Sequence, residues 1–162
     1  SLATLALHKD GPSYGIFFAL MRRHGFFLHA SSNLKSIGST EGNCDKEGFT
    51  SGSNIKPYYS GETRHTNYTL TAGAIHHITH GVCLFEGVGY GKSATAWQLS
   101  ESEGKGYLLN DGLSDKGVTA ELGALVSFGK LSISASAITI AGKQWQGSIG
   151  IGIKLGKSKT GK

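Results

Sequence analysis

Three histidines fall within five residues, His76-His77-Ile78-Thr79-His80, and two cysteines, Cys44 and Cys83, are the only ones in the chain. A zinc ion needs three or four such ligands converging on one point. On a strand, His76 and His77 point to opposite faces, and His80 falls in the turn beyond, so this cluster reads as interfacial or turn histidines rather than a metal site. "GVGYGK" (87–92) has the glycines of a phosphate loop, but no helix follows it, and the glycines are read as strand positions facing a crowded interior. No Ser/His/Asp motif or paired-carboxylate spacing stands out, so no catalytic residue and no cofactor is expected.

Positioning these residues is the work of strands. Alternation with a period of two dominates, and helical spacing with capping residues is hard to find. Strands are predicted at about residues 1–7, 12–21, 25–34, 64–77, 81–97, 113–128, 131–140 and 145–155. Their connections fall into two sets. "RRHG" (22–25), "ITHG" (78–81) and "GK" (129–130) read as tight hairpins; "HKDGP" (8–12), the stretch from Lys35 to Arg64, "LSESEGKGYLLND" (99–111) and "AGKQ" (141–144) are longer or richer in loop residues. Tight and loose connections alternate, the pattern of an antiparallel up-and-down eight-stranded transmembrane β-barrel with short periplasmic turns and longer outside loops. Both termini are then periplasmic.

The two rows of each strand differ in kind. Trp145, Ile149, Ile151 and Ile153 alternate with Gln146, Ser148, Gly150 and Gly152; Leu131 and Ile133 alternate with Ser132 and Ser134. A water-facing row is normally built of Lys, Glu and Arg, whereas a narrow eight-stranded interior needs small residues and a few charges that pair inside it. The Gly and Ser row is expected to point inward and the apolar row to touch lipid. Among inward positions, His29, Glu121 and Lys154 are candidates for a buried polar network. Tyr14, Tyr68 and Trp145 fall on the outward row below the outside loops, and Phe26 and Phe128 at the opposite ends of their strands, as two interfacial belts. Glu86 breaks the pattern. It shares the outward row with Leu84, Val88 and Tyr90, so either its strand is bulged and turns it inward, or it meets a protein partner.

Composition bounds the rest. The chain has 162 residues with 25 glycines and 2 prolines, and a formal charge of +5 carried mostly in turns and the tail. No basic and aromatic stripe accompanies that charge, so nucleic acid is not an expected partner. A single barrel domain over residues 1–156 with a basic tail at 157–162 accounts for the length, and the start at Ser1 reads as a mature or cut terminus. Cys44 lies in an outside loop and Cys83 beside a periplasmic turn, too far apart for a disulfide.

Several stretches, "SYGIFFALMRRHGFFLHASSNL" (13–34), "YTLTAGAIHHITHGVCLFEGVGYG" (68–91), "GVTAELGALVSFGKLSISASAITI" (117–140) and "GSIGIGIKLG" (147–156), resemble the small outer-membrane β-barrels of Bacteroidota. The resemblance covers nearly the whole chain and departs from the terminal aromatic common in such barrels, since this chain continues into a basic tail. It implies a bacterial outer-membrane location. The expected function is non-enzymatic, an accessory or scaffold subunit of an envelope complex whose partners are outer-membrane lipid and other envelope proteins. A solitary surface barrel of adhesin type is the alternative. A lipid A-modifying enzyme, with His65 and Ser60 or Glu62 near the outer rim, is a more distant one.

Overall fold

The computed structural model describes residues 2–8, 11–53 and 55–153, with the side chains of residues 2–8 and 11 excepted. Lys154 and the basic tail lie outside the described residues. The chain forms β1 (Leu2–His8), β2 (Gly11–Met21), β3 (His24–Ser32), β4 (Gly42–Cys44), β5 (Tyr59–Thr79), β6 (Val82–Leu99), β7 (Tyr107–Asn110), β8 (Asp115–Phe128), β9 (Leu131–Ile140) and β10 (Gln144–Ile153). Eight of these close an antiparallel barrel in the order β1-β2-β3-β5-β6-β8-β9-β10, sealed where β1 pairs with β10 (Leu5 opposite Ile149) and β6 with β8 (Glu86 opposite Leu122). Closure pairs each strand on both sides, so the barrel wall has no free edge for another chain to extend.

Leu2 and Ile153 lie at the barrel end that also carries the tight turns Arg22–Arg23, His80–Gly81 and Gly129–Lys130. Gly81, with φ of 79°, takes a left-handed conformation that a side chain would disfavour. The opposite end differs from expectation in three ways. Strands β5 and β6 run to 21 and 18 residues and project beyond the barrel. Two short strands, β4 and β7, sit in stretches expected to be loop; β7 adds to β6, and β4 adds to β7 in parallel. The first and last of the loose connections are short, since His8 already pairs with Gly11 and β10 resumes at Gln144 after Ala141–Lys143. The structure beyond the barrel at this end, the platform, is therefore built from two segments, residues 33–58 and 100–114.

The interior is stratified. Toward the tight-turn end, Phe17, Phe27 and Phe85 pack with centroids 4.9–5.1 Å apart, joined by Ile75, Cys83 and Leu125. Glycines make room for these rings: a methyl group at Gly87 would stand 2.6 Å from Phe27 Cζ. Above this plug the buried positions include Ser31, Thr69, Asn67, Gln146 and Ser148 together with Ile138 and Ile140, so the barrel is blocked by side chains rather than open as a pore. Outside, Ile16, Leu70, Val88, Val118, Leu122 and Ile151 are all exposed. A wall of this kind is inside out for a water-soluble barrel and correct for one surrounded by lipid.

Candidate functional site

Three regions of this scaffold hold the residues of interest: the interior, the outer wall and the outer platform. In the interior, strands β3 and β8 aim His29 and Glu121 at each other across the barrel. His29 Nδ1 lies 2.8 Å from Glu121 Oε1, with both side chains at most 1% exposed. Ser136 on β9 donates to the same carboxylate oxygen at 2.8 Å, and the Thr71 hydroxyl on β5 donates to the other. A carboxylate is tolerated at such depth because three elements supply its hydrogen bonds. The inward placement expected for His29 and Glu121 is what the structure shows, and Lys154 lies outside the described residues. Thr71 and Ser136 were not singled out from sequence; their signal was inward parity at the level of Glu121.

On the wall, Glu86 is exposed and stands between Ala74 of β5 and Leu122 of β8, with Leu84 and Val88 on its own strand. The pairing of β6 with β8 runs unbroken from Val82 to Ser93, and the irregularities on the β5 side lie at Tyr59/Thr63 and His77/Thr79. The inward-turned bulge is thereby ruled out, and Glu86 faces outward. Tyr14, Tyr68 and Trp145 are exposed toward the platform end, where Tyr14 and Tyr68 both flank Ser32. Phe26 and Phe128 are exposed near the tight turns. Tyr90, also exposed, joins the first group at the level of Leu70.

The outer platform has a small core of its own. Cys44, Leu99 and Leu108 are buried against Tyr59, whose hydroxyl donates to the Gly48 carbonyl at 2.6 Å and whose ring meets Trp97 edge-on at 5.2 Å. Arg64 lies 4.0 Å from the Tyr107 ring centroid, and Lys56 lies over Phe49. Asn43 donates to both carboxylate oxygens of Asp111, tying β4 to the 100–114 segment. Burial pushes the Cys44 thiol up from its ordinary range, so it stays protonated and unreactive. Both cysteines are buried, Cys44 in the platform and Cys83 beside the tight turn after β5.

Of the rim residues named for lipid A chemistry, the Glu62 N–H donates to Ser60 Oγ at 3.2 Å. Ser60 donates to Gln98 Oε1 at 2.9 Å, and His65 Nδ1 lies 3.1 Å from Thr95 Oγ1. Of the clustered histidines, His76 faces the outer wall and His77 the opposite side, as their parity requires. His76 instead meets a histidine that the local cluster did not suggest: His24 of β3, with Nδ1 atoms 2.9 Å apart.

Closed pairing, an apolar wall and an interior filled by side chains define an eight-stranded transmembrane β-barrel with a folded platform at one end. Among solved structures, the chain is similar to Ail, the attachment invasion locus protein of Yersinia pestis, with a TM-score of 0.57 at 12% identity over 95% of this chain and 93% of that one. The complex of Ail with the heparin analogue sucrose octasulfate gives a TM-score of 0.59 at 13% identity over the same shares. Neisserial surface protein A covers 94% of this chain and 90% of its own, with a TM-score of 0.41 at 12% identity. No protein-family model matches the chain, and no curated protein matches it in sequence.

Proposed function

We propose that this barrel stands in a bacterial outer membrane, of the small Bacteroidota type that its sequence resembles, with its termini in the periplasm, and presents its platform at the cell surface to bind a macromolecular ligand. The observation that carries the reading is the platform itself. Long loops without a purpose tend to be irregular, whereas here β5, β6, β7 and β4 form a continuous sheet with a buried core beyond the barrel wall. The fold shared with a protein named for attachment and invasion agrees with this use.

The chemistry of the platform narrows the ligand. Residues 33–66, 92–116 and 141–143 carry eight Lys or Arg and eight Asp or Glu, so this end is charge-balanced, and the net positive charge of the chain resides elsewhere. A balanced surface lacks the long-range field that gathers polyanions. Exposed Leu34, Ile55 and Tyr58, beside the two cation–π pairs, suit a protein ligand better than a sulfated glycan. Bacteria displaying the intact barrel should adhere to protein-coated surfaces or to other cells more than bacteria in which residues 39–56 are replaced by a short Gly-Ser linker. Equal adhesion, with both barrels shown to be folded by their heat-dependent gel mobility, would contradict the proposal. Competition by sucrose octasulfate would shift the ligand class to sulfated glycans.

Glu86 favours a second reading, an accessory subunit in an envelope complex. A carboxylate on the apolar wall is unfavourable against lipid and acceptable against a partner that supplies a donor or a cation. Gentle detergent extraction followed by native electrophoresis should then yield a large assembly that Glu86→Leu dissolves. Migration of the wild-type chain near its own mass would leave only the surface-binding role.

A further inference from the structure

His24 and His76 are directly opposed residues of adjacent strands, and both lie on the outer wall. Their Nδ1 atoms are 2.9 Å apart, with ring centroids at 5.2 Å and planes inclined by 67°. Directly opposed strand residues hold their Cβ atoms about 4.5–5.5 Å apart, so the ladder keeps the two rings within reach of each other. The neighbouring backbone is tied as well: the His77 N–H donates to the Arg23 carbonyl at 3.0 Å, anchoring the β2–β3 turn to the end of β5.

From this geometry we propose that His24 and His76 form a two-nitrogen site for a divalent transition-metal ion at the tight-turn rim of the barrel. With metal–imidazole bonds of about 2.0–2.1 Å, two nitrogens occupying cis positions at about 90° stand about 2.9 Å apart. That is the cis edge of a tetragonal or octahedral ion, so Cu2+ and Ni2+ fit without moving the strands, and a tetrahedral Zn2+ requires the pair to open slightly. As a hydrogen-bonded pair, one ring donates its Nδ1–H to the other's lone pair. Metal binding needs that ring to carry its hydrogen on Nε2 instead, a tautomer shift with no net proton released, together with small rotations of both rings. Arg22 and Arg23 are close in sequence but exposed, where solvent screens their charge. The remaining coordination positions face outward, open to water or to a donor from a neighbouring molecule.

The site is tested on the tag-free barrel in detergent micelles, titrated with Cu2+, Ni2+ and Zn2+ by calorimetry, with electron paramagnetic resonance of the Cu2+ sample to count bound nitrogens. The expected result is a Cu2+ site with two imidazole nitrogens, Cu2+ binding more tightly than Zn2+. His24→Gln and His76→Gln should each weaken it by at least about tenfold, the lower end of what even an outer-shell change does to a metal site. His77→Ala and His80→Ala should leave it intact, and heat-dependent gel mobility verifies that each variant is folded. Binding that persists unchanged in His24→Gln and His76→Gln, or a wild-type barrel that binds no Cu2+, would overturn the proposal. If both exposed substitutions prevented folding, His24→Cys and His76→Cys, which keep a metal donor at each position, would carry the same comparison.

Discussion

Glu121 concentrates the polar character of the barrel interior at one carboxylate that serves His29, Thr71 and Ser136 at once. Breaking a buried charged network by removing one member costs about 3–5 kcal/mol, because the groups left behind keep the desolvation that the partner had offset. Glu121→Ala is therefore expected to lower the unfolding free energy in urea by that order, and Ser136→Ala, which removes one donor of several, by about 1 kcal/mol. Equal, small losses for both would show that the network contributes little. Cys44 makes a second test at this scale. Its thiol is pushed up by burial, the reactive thiolate is scarce even at pH 8, and a maleimide should modify it only after unfolding. Inward parity was enough to name His29 and Glu121, with Lys154, as candidates for a buried network, though not to say which would meet. It could not find the His24–His76 contact, because 52 residues separate the two and only the β3–β5 register brings them opposite each other.

Strands are legible from a sequence when they are long enough to alternate. All eight barrel strands meet that condition, and the Ser and Gly row of β9 and β10 does face inward. The three residues of β4 and the four of β7 carry no period, and their pairing depends on packing against Tyr59 and Leu99 that only the folded platform supplies. The start of β5 was hidden for a related reason. "YSGET" reads as turn chemistry, and the chain does break register there, between Tyr59 and Thr63, with Gly61 at φ of 89°. Glycine also separates inner from outer wall by what a methyl group would meet. Gly87→Ala presses on Phe27 and on the Ala72 carbonyl and is expected to destabilise the barrel by about 1–3 kcal/mol, as overpacked cores do. Gly147→Ala, which meets nothing within 4 Å, should be neutral. Thermal unfolding in micelles separates the two, and an equal effect would mean the plug is loosely packed.

Across the whole molecule, one organisation relates the parts: an apolar wall around a plugged interior, a platform at one end, and both described ends of the chain with the tight turns at the other. Alternation of tight and loose connections is what predicts the polarity of the barrel in the membrane. The surface role depends on which end faces the medium. The measurement that tests this most directly is labelling of single cysteines in intact cells with a maleimide too large to cross the outer membrane, in a Cys44→Ser, Cys83→Ser background. Ser53→Cys in the platform should be labelled on intact cells, and Gly129→Cys in a tight turn only after the outer membrane is opened. Labelling of Gly129→Cys on intact cells while Ser53→Cys is protected, or recovery of the chain in the aqueous fraction without detergent, would contradict the account.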